Sequence, residues 1–536
     1  MIERILTNAH IITLNPAQPH ARALAIGGGR ILALGDDDEI RALASPGTII
    51  ENMEGRPIIP GLTDAHIHWE GVAHSLADVD VFEVPSKDEA LRRVAERVQR
   101  TPPGEWIVGH GWSQAYWADQ SFPTAADLDA VAPQHPVYLS AKSGHAAWVN
   151  SAALRAAGLS ANTPDPPGGS LHRDASGRLT GLLLEAPAMN LVWDRIPPRT
   201  PEQTANLMAE AQRQAWAAGL TCIHDFDDPS CLVALQLLRE RGELGLRVVK
   251  NINDPYIEHA HALGIRWGFG DEWLRIGGLK IFADGALGPR TAHMIAPYEG
   301  EPDNYGIVVT DKEQMHELVS RASAAGLPST IHAIGDRAVH DVLDVYEAVR
   351  QEEAARGISP QARRHRIEHV QLIHPDDAGR LGALQIIASM QPIHATSDYE
   401  MAERYWGERT RMSYNWRLQL EAGAVLAFGS DSPVEPFEPL KGIYAAVTRR
   451  RPDGSPGPDG WYPELRLDLD TTLRAFTQGP AYAAGMERDL GMLAPGFLAD
   501  LVVLDRDLYA IPPDEILETQ VLGTMLGGEW RWRAGG

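Results

Sequence analysis

A chain of 536 residues with 44% hydrophobic and 22% charged residues has an ordinary globular composition, and its length suits about two to four domains or one large barrel with additions. The formal net charge of −24 leaves no basic face for nucleic acid or an anionic membrane, so neither is expected as a partner. No apolar run reaches the roughly 18 residues of a membrane span.

Residues 1–57 alternate short apolar runs with turns, as in ILTNAHIITLN, ALAIGGGRILALGDDDE and GTIIENMEG, which is the pattern of short antiparallel strands. The opening MIERILTNAHIITLNP has no basic stretch followed by an apolar core, so no signal peptide is expected. AIGGGR does not lead from a strand into a helix and is no nucleotide fingerprint.

Over residues 58–484 the pattern changes. RPIIPGLTDAH, LTCIHDF, LRVVKNIN, WLRIGGLKIFADG, LPSTIHAIGD, RHRIEHVQ, LQIIASMQPIH and AVLAFGSDSP read as buried strands, with helix-like segments such as TDKEQMHELVSRASAAG between them. Strands alternating with helices indicate an α/β fold with a parallel sheet. Eight of them fit a TIM-like (β/α)8 barrel, whose chemistry sits at the C-terminal strand ends. The connection over about residues 72–200 is too long for a loop and carries its own helix, SKDEALRRVAERVQR, and strands, EWIVGHGW and PVYLSAKSGH. It reads as an inserted α/β subdomain after barrel strand 1. Residues 485–536 return to the β pattern in GMLAPGFLADLVVLDRD and VLGTMLGGEWRW, and the two chain ends are expected to pair into one small β-sandwich. Cys222 and Cys231 form neither a C-x-x-C nor a disulfide framework, so a reducing cytoplasm is the expected location and thiolate metal ligation is not expected.

The polar residues fall at the strand ends. In GLTDAHIHWE, His66 and His68 lie two apart and share one face of a strand, with Asp64 just before them. Lys280 interrupts the apolar strand WLRIGGLKIFADG, His332 sits in STIHAIGD, His369 in RIEHVQ and Asp431 in AFGSDSP. Leaving Asp64 aside, five of the other six are neutral or anionic metal ligands. Lys280 joins them only as a carbamate, formed when a buried, neutral amine adds carbon dioxide. The other reading of Lys280 is an ion pair with Asp284 or with a substrate carboxylate. GSDSP lacks the G-x-S-x-G nucleophile elbow, and H-E-x-x-H is absent.

The set PGLTDAHIH, LKIFADGALG, IHAIGD, IEHVQ and GSDSP resembles the amidohydrolase superfamily. The long insertion, with GHGW and GHAAWVNSAAL, resembles its YtcJ-like branch of metal-dependent hydrolases, which includes N-substituted formamide deformylases. The resemblance implies one divalent ion on His66, His68, Lys280 and Asp431 and a second on Lys280, His332 and His369, with the Lys280 carbamate bridging. Some superfamily members keep a single ion; zinc suits these ligands, as do manganese, iron, cobalt and nickel.

The implied reaction is hydrolysis of a non-peptide C–N bond, in an amide or N-substituted formamide, by a metal-activated hydroxide whose proton Asp431 takes. A cyclic amide, imide or ureido bond is the alternative, and a non-catalytic metal-binding scaffold the distant one. The partner is a small-molecule substrate, with a homodimer left open. His145, Trp112, Trp148, His224, Asp284 and Arg290 are the candidates for substrate contact, with Glu185 a weaker one. His110, Trp117 and the other insertion aromatics suit either a lid over the barrel mouth or simply a core.

Overall fold

The computed structural model describes residues 1–535 apart from 83, 115–116, 142–145, 167–168 and 185. It contains two compact units, Met1–Trp69 with Met208–Gly536, and Glu70–Leu207. Among the described residues no helix is long and apolar enough to cross a membrane.

In the larger unit eight parallel strands form one sheet in chain order: β1 (Leu62–Ile67), β2 (Leu220–Asp225), β3 (Arg247–Asn253), β4 (Leu274–Phe282), β5 (Ser329–Ala333), β6 (Arg366–His369), β7 (Ile387–Met390) and β8 (Leu426–Phe428). Every residue of β1 and β2 is buried, as expected for strands covered on both faces, and this is why they read as continuous apolar runs. The sheet closes just beyond β8. There the Asp431 N–H donates to the His66 carbonyl at 2.7 Å, and the His68 N–H to the Ser432 carbonyl at 2.9 Å.

Asp64 fastens this seam. Its carboxylate accepts from the N–H groups of His66 and Ser430, both at 3.0 Å, and from the Ser430 hydroxyl at 2.5 Å. A Cβ at Gly429 would meet the His66 nitrogen at 2.4 Å, so only glycine lets the two strand ends approach. Closure therefore sets Asp431 directly beside His66.

All eight expected strands are present, but one boundary moves. Pro57–Pro60 is not part of the barrel. It pairs antiparallel with Leu501–Leu504 and parallel with His10–Ile12, inside a six-stranded sheet that also holds Val521–Leu526 and Glu529–Arg533. The junction between sandwich and barrel thus lies at Gly61 rather than after residue 57, because one apolar run serves two sheets. Leu6, Ile11, Ile26, Ile58, Leu501, Val503 and Met525 share the sandwich core, so both chain ends build it. The buried Arg247 of β3 grips Asp500 of the sandwich through Nε at 2.5 Å and Nη2 at 2.9 Å, a bidentate pair that joins the two layers.

The smaller unit is a six-stranded sheet ordered Ser170–Arg173, Leu179–Leu184, Ala146–Val149, Val137–Ala141, Ile107–Trp112, Val79–Asp80. Its helix Lys87–Val98 starts at Ser86, whose hydroxyl accepts from the Glu89 N–H at 3.1 Å. The rings of Trp112, Trp117 and Trp148 gather with centres 6.2–6.3 Å apart. Trp112 Nε1 donates to the Leu139 carbonyl at 2.8 Å, and Trp148 Nε1 to the Thr124 carbonyl at 2.7 Å. Both rings are buried among Val79, Val94 and Leu139. This corrects their assignment to a substrate pocket: their faces are taken up by packing and their N–H groups by backbone. Trp148→Ala is therefore expected to cost about 3–5 kcal/mol of stability, read as a lower thermal midpoint. An unchanged midpoint with an altered substrate ranking would return this ring to the pocket.

Candidate metal centre

The C-terminal ends of β1, β4, β5, β6 and β8 bring the six strand-end residues together. The His66 ring centre lies 5.6 Å from that of His68 and 4.9 Å from that of His369, and His332 lies 4.6 Å from His369. Asp431 Oδ1 faces Nε2 of His66 at 3.3 Å and Nε2 of His68 at 3.4 Å. Two donors bound to one tetrahedral ion through bonds of about 2.0 Å stand roughly 3.3 Å apart, so this spacing already suits a cation. His369 and Asp431 hold φ angles of 79° and 63°, a left-handed conformation uncommon for residues with side chains and one that clusters at functional sites. It turns the chain sharply at the end of each strand.

Each imidazole uses one nitrogen on the protein. His66 Nδ1 pairs with Glu368 Oε2 at 2.6 Å, His68 Nδ1 with Asp227 Oδ1 at 3.0 Å, and His369 Nδ1 with Gln391 Oε1 at 2.9 Å. His332 Nε2 meets the Gly285 carbonyl at 2.9 Å. Outer partners of this kind orient metal-binding histidines. Among the described residues His66 Nε2 is buried with no hydrogen-bond partner, an atom that a cation would satisfy.

Burial, aided by the Lys280 charge, pushes His66 down to about 4 and His332 to about 3. Burial with the neighbouring His332 holds His369 well below its ordinary value. All three are thus neutral, as a metal ligand must be. His68 goes the other way: burial pulls it down, but hydrogen bonds to Asp227 and Asp431 outweigh this and raise it to about 10. A bound cation would displace that proton.

Glu368, absent from the sequence reading, holds the centre from beneath. It is fully buried, binds Arg366 and His66, and accepts from the Thr330 hydroxyl at 2.7 Å.

Lys280 Nζ lies 4.5 Å from the Phe282 ring centre and 4.8 Å from that of Phe226, on which His66 also stacks at 3.9 Å. Burial pushes its amine down to about 8, although Glu368 and Asp431 pull the other way. Asp284 does not pair with it. That carboxylate accepts from the N–H groups of His293 at 2.9 Å, Ile334 at 3.1 Å and Gly335 at 2.8 Å. The Asp284 partner of the ion-pair reading is therefore not found, and Asp284, whose Oδ1 also lies 3.5 Å from His332 Nε2, is a buried pin between loops at the edge of the site.

His224 accepts at Nδ1 from Arg366 Nη1 at 3.1 Å, and burial with that charge drives its pKa well down. Its Nδ1 is taken up by Arg366, while its Nε2 is buried with no hydrogen-bond partner among the described residues. Arg290 is paired with Glu301 and lies over the Tyr405 ring, which accounts for its charge without a ligand. His145 and Glu185 lie outside the described residues. Like Glu368, His394 was overlooked. Helix Pro392–Trp406, directly after β7, sets His394 Nε2 3.5 Å from Asp431 Oδ2; it ends the run LQIIASMQPIH and so carried the same strand-end signal as the others.

A family model described as the amidohydrolase family matches residues 50–530. The chain is 35% identical over 542 residues to Protein LONG AFTER FAR-RED 3 of Arabidopsis thaliana, covering 98% of this chain and 91% of the relative. It is 30% identical over 560 residues to N-substituted formamide deformylase of Arthrobacter pascens, covering 100% and 99%. Among solved structures it resembles an uncharacterized metal-dependent hydrolase from Pyrococcus horikoshii, with a TM-score of 0.79 and 28% identity over 95% of this chain and 99% of the other.

Proposed function

The chain belongs to the amidohydrolase family, and on that premise we propose that it is a metal-dependent hydrolase of a non-peptide carbon–nitrogen bond, in an amide or an N-substituted formamide. The observation that carries this reading is the buried Nε2 of His66, without a hydrogen-bond partner among the described residues and set among Asp431 Oδ1, His68 and His369. The end-to-end likeness to a relative named as a formamide deformylase supports the substrate class.

His66, His68, Lys280 and Asp431 would hold one ion, and Lys280, His332 and His369 a second. Lys280 takes part as a carbamate: its neutral amine forms an N–C bond to carbon dioxide, one proton leaves, and the product is an anion with two oxygens. A lysine caged by Phe226 and Phe282 and lowered to about 8 suits that reaction, since desolvation favours the neutral amine. Ions bound here supply Lewis acidity to a carbonyl oxygen and acidify water.

Asp431 provides the proton transfer. Its Oδ1 faces the histidines while Oδ2 points away from them toward His394, so Oδ2 can take a proton from the attacking water and pass it to the leaving nitrogen. His66, His332 and His369 are held neutral by burial and serve as donors to cations rather than as acids. Phe282 is 39% exposed and lies with its ring centre 5.2 Å from that of His332, an apolar surface at the site that suits an apolar nitrogen substituent. All six ligand positions are filled, which speaks against a non-catalytic scaffold.

Purified protein is expected to contain a divalent metal by elemental analysis. A chelator should abolish its turnover of N-substituted formamides or linear amides, and zinc or manganese should restore it. Turnover of cyclic imides or ureido compounds alone would move the substrate class to those bonds, and turnover indifferent to chelation would end the metal-dependent reading.

A further inference from the structure

Resting on that reading, we propose that His394 is a positioning residue for Asp431, tethering its second carboxylate oxygen so that the first stays turned toward His66 and His68. The carboxylate is shared between two sides. Oδ1 lies 3.3 Å and 3.4 Å from the Nε2 atoms of His66 and His68, and Oδ2 lies 3.5 Å from Nε2 of His394. His394 is 7% exposed, and its Nε2 is buried with no hydrogen-bond partner among the described residues. A buried N–H without an acceptor is unusual in a folded protein, and Asp431 Oδ2 offers one 3.5 Å away. Moving the carboxylate by about half an ångström makes a normal N–H···O bond.

The ring is braced from behind. Gln371 Nε2 donates to His394 Nδ1 at 3.2 Å, and Gln371 Oε1 accepts from the Tyr414 hydroxyl at 3.3 Å. The single Tyr414 hydroxyl proton is shared with Asp398 Oδ2, the shorter contact at 2.8 Å. Asp398 lies 3.8 Å from His394 Nδ1, and Glu435 adds a third negative neighbour. With Nδ1 accepting from Gln371, the ring carries its proton on Nε2, the atom that faces Asp431.

A carboxylate beside a cation can bind through one oxygen or swing to bind through both. With Oδ2 tied to His394, only Oδ1 is presented to the ligand cluster, and Oδ2 keeps a fixed place for proton transfer. This arrangement depends on the left-handed backbone at Asp431, φ 63°, which sets the carboxylate between β1 and the helix that carries His394.

The test is zinc affinity, measured by competition with a chromophoric chelator. It would be run on the wild type, His394→Met, which has similar bulk and no donor, and His394→Gln, which keeps an N–H. The Met change would also be made in an Asp431→Ala background. Losing an outer partner of a ligand typically weakens metal binding 10–100-fold, so His394→Met is expected to bind zinc about tenfold more weakly. The Gln variant should stay within about threefold of wild type, and the Met change should have no further effect once Asp431 is gone, which is the signature of a direct coupling. A general packing role would weaken the Met and Gln variants alike, or weaken binding equally with and without Asp431, and either result overturns the proposal. So does a Met variant that binds as wild type does. Wild-type protein that takes up no zinc, manganese, cobalt or nickel would instead overturn the hydrolase reading beneath it.

Discussion

Lys280→Ala is expected to abolish turnover and to remove at least one bound metal ion while the protein stays folded. Lys280 is buried against Phe226 and Phe282, and the carboxylate nearest in sequence, Asp284, is held by three backbone N–H groups. Removing the amine thus breaks no ion pair, and the loss should fall on the metal centre rather than on the fold. A small carboxylate such as acetate should restore part of the activity by supplying two bridging oxygens. Metal-free protein reconstituted without bicarbonate should activate slowly, and bicarbonate should speed it. Carbon-13 NMR after labelling with 13C-bicarbonate reads the modification directly. A bare amine in a fully metallated, active enzyme would end the carbamate account.

Asp431→Asn should lower turnover by roughly 10²-fold or more, the scale of losing a general base, again without unfolding. The seam that closes the barrel is made by the Asp431 backbone N–H, bonded to His66, and by Asp64 with Ser430, and the substitution keeps all of these. The amide retains an oxygen for coordination but cannot accept and release a proton near neutral pH. Turnover within a few-fold of wild type, in protein with its normal metal content, would take Asp431 out of the proton path.

The barrel was readable from sequence because β1, β2 and β5–β8 are buried throughout and β4 over most of its second half, so that His66, Lys280, His332 and His369 stand out against buried strands. The same property hid the change of sheet at Gly61: Pro57–Pro60 and Leu62–Ile67 are equally buried, and nothing in PIIPGL marks where one hydrogen-bonding partner replaces another. The outer partners were invisible for a different reason. Glu368 and Asp227 meet His66 and His68 from 302 and 159 residues away, and a single acidic residue beside a strand end looks the same whether it binds an imidazole, an arginine or water. The tryptophans misled because a bulky ring suits a core and a pocket equally, and only the satisfied N–H groups of Trp112 and Trp148 decide between them. His394 was legible by its position and was missed.

The sheet shared by the two chain ends bears on how this protein emerges from the ribosome. Pro57–Pro60 is made early, yet its antiparallel neighbour is Leu501–Leu504, with Ile58 opposite Val503. At 5–20 residues per second, that apolar edge waits about 20–90 s for its partner. During this interval the nascent chain exposes an unpaired strand that can template aggregation. That side of the sheet is therefore completed only after residue 504 has been made, and a chain that stopped short of Leu501–Leu504 would leave the Pro57–Pro60 edge unpaired there.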